Sequence, residues 1–459
     1  MIVFLLIYLI SFFFALSGIL KGKPDKIFLF IVFGLPLYFT ALSIAFINGL
    51  EKFIPILQGF KEIIILVTLG ILLYRQKQKI RLHIIDMLVL AYLAYTGLYI
   101  LLPLGNFGFF DKLLAFKSMS FFPFVYFTGR LMNPKEINFN YYLSFICFVA
   151  ILAGCVLTVE IIRYEHLQTY TGYAEFNQKF FNQDPGGNYG LSWTFETPHG
   201  LKRFASFYGG PLELGVNTVC TAAALVALGT KNNNRFVPDN FLRLTSLFTI
   251  LAIFAALSRA SFASYFLILY VYAFLTHKTW LVNIFHYGAA AVVCLVMFLL
   301  RGDIYEWVVN TVSLSDSSSV YHIVQWLDGI SAISSHPLGL GLGMSGRVSI
   351  ADDSNIGGEN QLIIIGVQAG LVAIALYVAM YVLTISTCAK VFAHTKGKFR
   401  KPALTLLLLK IGILIPMLTA NTESYIYLSY FSWLLAGIVV NIRMEGTLFS
   451  AHTLKPMTV

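Results

Sequence analysis

The chain has 459 residues, of which 58% are apolar, 15% aromatic and only 12% charged, with a formal net charge of +10. Soluble proteins average about 45–50% apolar and about 25% charged residues, so a soluble enzyme, a disordered chain and a disulfide-built secreted domain are excluded. The useful unit of length is instead the membrane span of about 20 apolar residues.

Taken in chain order, thirteen hydrophobic segments read as membrane helices: roughly 1–20, 27–48, 56–74, 84–103, 109–129, 141–162, 211–230, 243–257, 260–276, 280–300, 360–386, 403–420 and 423–441. Backbone groups in hydrocarbon need partners within the segment, so an all-α polytopic integral membrane protein is expected. Residues 1–20 read as a first span and not a cleavable signal, since no basic stretch and no small-residue cleavage site accompany them. Lys112 and Lys117 interrupt the fifth segment, and the short eighth and ninth meet at Ser258-Arg259. Lys410 lies deep in the twelfth, from where its ammonium is expected to snorkel inward. Cys147, Cys155, Cys220, Cys294 and Cys388 fall at no metal or redox spacing and read as small apolar fillers.

Basic residues set the orientation, because short cytoplasmic loops collect Lys and Arg. Clusters at 21–26, 75–81, 130–135, 231–243, 278, 390–401 and 443–455 fall at every second connection and hold 20 of the 32 basic residues. Only Asp25, Glu136, Asp239 and Glu445 accompany them. The N-terminus is therefore expected outside and the C-terminus in the cytoplasm. The positive charge is a topology signal, and no basic stripe interleaved with exposed aromatics argues for nucleic acid.

The chain divides into a six-span bundle (1–162), a long outer loop (163–210), central spans (211–300), a second long outer loop (301–359), C-terminal spans (360–441) and a tail (442–459). Long loops without spans of their own tend to be functional. The first is dense in aromatic residues, Trp193 among them. Such rings, with Tyr208 and Trp326, are candidate platforms for sugar, or equally an interfacial aromatic belt. The first loop ends in LKRFASFYGGPLELG, where Pro211 suits a first helical turn. Arg203 lies at the mouth of that helix, as an anion ligand or as a residue snorkelling to headgroups. Arg259, between two short spans, is costly to insert and so is expected to face a cavity or an anionic partner.

In the second loop Asp316 and a Ser run make a plausible N-cap. Val320, Val324, Leu327, Ile330 and Ile333 recur at helical spacing, which predicts a short amphipathic helix lying in the interface. His322 and Trp326 share one face of it. HPLGLGLG at 336–343 then breaks the helix into a flexible turn. It is not a nucleotide loop, since no strand precedes it and no Lys-Ser/Thr follows. Asp352, Asp353 and Glu359 lead into the eleventh span. No metal motif is present, and adjacent loop carboxylates are more often solvated than metal-bound.

Together these pieces resemble the bacterial O-antigen polymerase/O-antigen ligase superfamily over roughly residues 200–380. The matching elements are Arg203, Ser206, Phe207 and Pro211 before a span, and Ser258-Arg259 between two spans. They continue with Trp326 and a Pro-Leu-Gly-x-Gly turn at 337–343 in a long outer loop, and Glu359-Asn360 followed by Gly370. Ligases of the family carry His where this chain has Glu359, which favours a polymerase.

The resemblance implies a GT-C-like glycosyltransferase in the bacterial inner membrane with its site facing the periplasm or exterior. The donor would be an undecaprenyl-diphosphate-linked oligosaccharide, attacked in inverting fashion by a hydroxyl of another lipid-linked repeat. No cofactor is implied, and membrane lipids, a chain-length regulator and a flippase are the expected partners. The leaving diphosphate needs preorganised cations. Guanidinium groups bind phosphate oxygens in a fork, so Arg203 and Arg259 lead, ahead of Lys117, Arg301 and Arg347. Glu359 is the first candidate base for the acceptor hydroxyl and His322 the second, unless His322 is a phosphate ligand, a helix cap or an interfacial residue. The alternatives are a ligase with the same donor and another acceptor, and a lipid-linked glycan flippase, for which internal repeats would be expected. No repeat is evident.

Overall fold

The computed structural model describes residues 1–76, 80–298, 317–346, 348–349 and 355–452. Among them there is no β-strand, only two isolated bridges. Nine helices among the described residues are long and apolar enough to cross a membrane: α1 (Ile2–Leu20), α2 (Pro24–Ile47), α3 (Glu51–Arg75), α4 (Ile84–Leu101), α7 (Phe139–Arg163), α9 (Pro211–Gly229), α14 (Gln361–His394), α15 (Gly397–Thr419) and α16 (Ile426–Glu445, continuing to His452). The protein is thus a polytopic helical membrane protein. The other four expected spans correspond to helices that are divided, α5 (Phe109–Ser120) and α6 (Phe122–Leu131), short, α10 (Asn240–Ala255) and α11 (Arg259–Leu275), or adjoin residues outside the described set, α12 (Thr279–Phe298). The loops add α8 (Tyr173–Phe181) and α13 (Ser317–Ser335).

Helices α2, α9 and α16 are the most enclosed, while α1, α3 and α4 present large apolar side chains outward, such as Phe14, Leu73 and Leu101. This is the pattern of a bundle surrounded by hydrocarbon, where helices associate through close packing more than through water exclusion. Glycines provide that approach. A Cβ on Gly129 of α6 would lie 1.9 Å from the Leu434 carbonyl oxygen of α16, and one on Gly437 would lie 2.0 Å from the Tyr126 carbonyl oxygen. In α2, Pro36 removes one N–H, and the chain absorbs it by widening to a π turn over Phe30–Gly34 and tightening over Leu35–Leu37.

Ionic groups inside the bundle are individually matched. At its basic end Arg130 Nε is 3.1 Å from Asp86 Oδ2, and its other nitrogens donate to the Arg81 carbonyl and to Asn441 Oδ1. Arg130, counted above among the surface cations, is therefore a buried tie between α4, α6 and α16. Lys410 does not snorkel. It is buried with its ammonium 3.8 Å from the Trp433 ring centroid and 4.8 Å from that of Tyr381. The same indole donates its N–H to Glu423 Oε1 at 2.9 Å, and Tyr377 donates to that oxygen at 2.6 Å.

The 336–343 turn is not flexible but locked into a break in α14. Gly370 has φ 75° and ψ −173°, so the helix is interrupted there. The turn supplies the missing bonds: Leu340 N donates to the Val367 carbonyl, Gly341 N to the Gln368 carbonyl and Gly343 N to Gln368 Oε1, while Leu371 N donates back to the Pro337 carbonyl. A Cβ on Gly370 would lie 2.3 Å from the Pro337 oxygen, and one on Gly341 would lie 2.6 Å from the Leu104 oxygen. The amphipathic α13 is present. Val320, Val324, Leu327 and Ile330 stay exposed, while Ile333, with Trp326, packs on Ile363 and Val367 of α14. The end of the stripe at Ile333 binds the bundle, and the rest of it faces outward, as in a helix lying in an interface.

Gly370→Ala is expected to lower stability by about 2 kcal/mol or more, because it meets both a left-handed backbone and a carbonyl. Gly70→Ala in α3, where a Cβ meets nothing within 4 Å, is expected to be neutral or to stabilise by up to about 1 kcal/mol. Thermal unfolding of both variants in detergent checks this; coincident melting curves would show that the break carries no stability.

Candidate functional site

The segment 203–211 is held by groups from several elements. In the last turn of α7, the Glu160 carboxylate accepts from Leu167 N and Ser206 N, both at 2.8 Å. Ser206 is left-handed (φ 54°), and its hydroxyl donates to the Ala153 carbonyl at 2.8 Å. Gln168 Nε2 donates to the Ser206 and Tyr208 carbonyls, and Thr40 of α2 donates to the Phe207 carbonyl. Phe204 N donates to the Ala255 carbonyl at the end of α10. Pro211 opens α9 at its first turn, as expected, and Glu213 Oε2 accepts from Gly209 N at 3.0 Å.

The bond from Phe204 to Ala255 sets this segment beside the turn that carries Arg259. That turn is tight, with Leu257 left-handed at φ 45° and Ser258 capping α11. Arg259 is the first residue of α11. A Cβ on Gly215 would lie 2.6 Å from Ser261 Oγ, so α9 and α11 pack closely at this end. Arg203 is half-buried, with its main-chain N–H bonded to the Phe195 carbonyl at 2.8 Å. Its Nε is buried without a hydrogen-bond partner. Burial and the positive charge of Arg259 both lower its pKa. Two guanidinium groups from separate loops are thus within electrostatic reach of each other, with Arg259 exposed beside a helix N-terminus. An anion relieves that repulsion, and the helix dipole adds to its attraction.

Glu359 precedes α14, whose N-cap is Asn360, its Oδ1 accepting from Leu362 N and Ile363 N. The residue is exposed, and desolvation by neighbouring protein raises its pKa above the usual carboxylate range. The Tyr425 hydroxyl is in electrostatic reach of both Glu359 and Glu213, and its pKa is raised by burial first and then by these two acids. His322 is half-buried on α13, one turn before Gln325. Gln325 abuts Gly358, where a Cβ would lie 2.1 Å from Gln325 Oε1, so α13 brings His322 toward Glu359.

Other expected site residues lie elsewhere or are committed. Lys117 is paired with Glu62 at 3.2 Å, and Glu62 is shared with Lys61 at 3.1 Å, so its charge is already answered. Tyr208 is 3% exposed and offers no ring face to a glycan. Trp193 is exposed on the first loop, and Trp326 is half-buried in the α13–α14 contact with its indole N–H unpartnered. Arg301 and Arg347 lie outside the described residues, as do Asp352 and Asp353. Sequence reasoning passed over Glu160, Glu213, Gln168 and Tyr425. The two acids carried a signal, since a carboxylate inside an apolar span is rare and costly. Nothing local marked the other two.

The first loop also encloses His166, 2% exposed, among the rings of Tyr189, Phe195 and Phe204 at centroid distances of 5.9, 5.4 and 5.3 Å. Both ring nitrogens are buried without partners. Burial above all, then Lys202, lowers its pKa to about 4, against a smaller opposing effect of Glu196.

No protein-family model matches the chain, and no curated protein matches it in sequence.

His166 yields a pH prediction. Its folded pKa lies below the unfolded value of about 6.5, so the unfolded chain binds the extra proton between about pH 6.5 and about pH 4. Stability from this group is complete above the unfolded value and is lost as pH falls through that window. His166→Phe is expected to keep the aromatic packing and remove this part of the acid destabilisation. Melting temperatures of both proteins from pH 7 to pH 4 check it; parallel curves would exclude His166 as the source.

Proposed function

We propose that this membrane protein is a glycosyltransferase that moves a glycan from a lipid-diphosphate carrier onto a hydroxyl of a second lipid-linked repeat, a polysaccharide polymerase reaction. The carrier, undecaprenyl diphosphate, and the GT-C-like architecture come from the resemblance to the O-antigen polymerase/ligase superfamily. Thirteen spans with alternating basic connections would put the loops that carry Arg203 and Glu359 at the outer face of a bacterial inner membrane. The observation that carries the reading is the bond from Phe204 N to the Ala255 carbonyl, which sets the Arg203 segment beside the turn where Arg259 opens α11, within electrostatic reach of each other.

The chemistry asks for little else. The bond from the anomeric carbon to the diphosphate oxygen breaks, and the diphosphate leaves with its electron pair. Arg203 and Arg259 stabilise that developing anion, as fixed donors in a partly desolvated site do. The acceptor hydroxyl oxygen forms the new bond to the anomeric carbon and gives its proton to Glu359. A carboxylate with a raised pKa is a better base near neutral pH than an ordinary one. His322, on the helix whose Gln325 abuts Gly358, would orient the acceptor or the phosphate. No nucleotide is needed, because the carrier already activates the sugar.

The test is purified protein in lipid with an undecaprenyl-diphosphate oligosaccharide, without nucleotide and with chelator, and products resolved on a gel. A ladder of repeats is expected. Arg259→Ala is expected to remain in the membrane and to lose chain growth by at least about 100-fold, the scale of a lost transition-state donor. Glu359→Gln is expected to be nearly as inactive as Glu359→Ala. Full activity in Arg259→Ala overturns the reading, and transfer of one preformed glycan to an added acceptor would make the protein a ligase. Carrier translocation without transfer would make it a flippase.

A further inference from the structure

A second cation cluster lies at the opposite end of α9, about 28 Å from the arginine pair by helix rise. It surrounds a cavity of about 240 Å³ lined by Lys231, Lys398, Arg400 and Lys401, with Asn140 and Leu404. Two short segments build it. After α9 the chain turns back tightly over 230–236, with Lys231 N donating to the Arg235 carbonyl and Val237 N to the Gly229 carbonyl. Facing it, α15 opens with a tight turn over Gly397–Phe399 that leads into Arg400, and Gly397 N donates to Asn232 Oδ1 at 3.0 Å.

The cations are aimed by neutral oxygens. Arg400 Nη1 donates to the Asn232 carbonyl at 2.8 Å, Nη2 donates to Asn234 Oδ1, and the guanidinium lies 4.3 Å from the Phe392 ring centroid. Lys401 Nζ donates to Asn140 Oδ1 at 2.8 Å, and Lys398 Nζ donates to the Lys135 carbonyl. None of the four forms an ion pair among the described residues. Arg400 Nε is buried without a partner, and the first turn of α15 has no side-chain cap. Ordinary topology-setting lysines spread into water. Here four cationic residues line one concavity, three of them with their directions set by hydrogen bonds, and none is answered by an ion pair among the described residues.

We infer that this cavity binds a phosphate-bearing anion at the basic end of the bundle. The guanidinium fork, the ammonium groups and the helix N-terminus are the donor set that phosphate oxygens accept from. The wall of Leu404, Phe392 and Ala227 suits the carbon next to that phosphate. An anionic phospholipid headgroup and a soluble phosphate ester share this chemistry. The site is independent of glycosyl transfer and stands whether or not that reading holds.

The test is thermal unfolding of the full chain in neutral detergent at constant ionic strength. The probes are dihexanoyl phosphatidylglycerol, dihexanoyl phosphatidylcholine and inorganic phosphate. Phosphatidylglycerol, or phosphate, is expected to raise the melting temperature by several degrees, with phosphatidylcholine at equal concentration ineffective. A shift with phosphatidylglycerol alone assigns the headgroup, and a shift with inorganic phosphate assigns the soluble ester. Arg400→Gln/Lys401→Gln is expected to weaken the apparent affinity at least tenfold. Should that variant fail to fold, the exposed pair Lys231→Gln/Lys398→Gln serves instead. Lys21→Gln/Lys23→Gln, which removes two cations of the same end away from the cavity, is expected to keep the shift. No shift with any probe, an equal shift with phosphatidylcholine, or a shift unchanged in the cavity variants overturns the inference.

Discussion

In an apolar surrounding each backbone N–H and C=O must find its partner inside the protein, because no water is present to serve. Helices meet that demand on their own, and their interruptions show what else it shapes. At Gly370 the helix α14 breaks, and backbone groups of Val367, Gln368 and Leu371 lose their helical partners. The 337–343 turn fills the break with backbone bonds and is itself fixed by them. This explains why a Pro-Leu-Gly-Leu-Gly run and a glycine about thirty residues later belong together. It also sets the position of α13, whose Trp326 and Ile333 pack on α14 just above the break. The same contact sets Gln325 of α13 against Gly358, the residue before Glu359.

The charges of the bundle are held in contrasting ways, and the contrast separates scaffold from site. Arg130 and Asp86 form a buried ion pair with further hydrogen bonds, and Lys410 is held by aromatic faces near a Glu423 that is fully bonded. Such groups have no remaining demand. Removing one partner would leave an uncompensated charge, which is strongly destabilising. Arg203, near Arg259, and the cluster around Arg400 are different. Their surroundings orient them through carbonyl and amide oxygens or leave a guanidinium nitrogen unmet. Both sites sit at ends of α9, where an anion can enter without crossing the apolar interior.

The two ends also share a method of construction. Each is made by a short return of the chain that a polar side chain pins to a helix end. Glu160 and Gln168 do this for 203–211, and Asn232 and Asn234 do it near Arg400. A charged side chain on a loop is imprecise unless its backbone is fixed, because misplacement by about 1 Å costs a binding or reacting group much of its effect.

The sequence by itself determined the helical membrane class, the approximate bounds of the spans and the alternation of basic connections. These follow from composition and from periodicity, which are properties of contiguous residues. It also singled out Arg203, Arg259 and Pro211, because an Arg between spans and a Pro at a helix start are locally conspicuous, whereas Gly370 entered only through the family resemblance. Tertiary structure alone decided which of these meet. The bond from Phe204 to Ala255 joins residues fifty-one positions apart and brings the two arginines together. The pairing of Lys117 with Glu62, the cage around Lys410 and the burial of Tyr208 were equally invisible, since each depends on which helix faces which. Hydrophobicity says that a segment enters the membrane, but only packing says which of its faces turns inward.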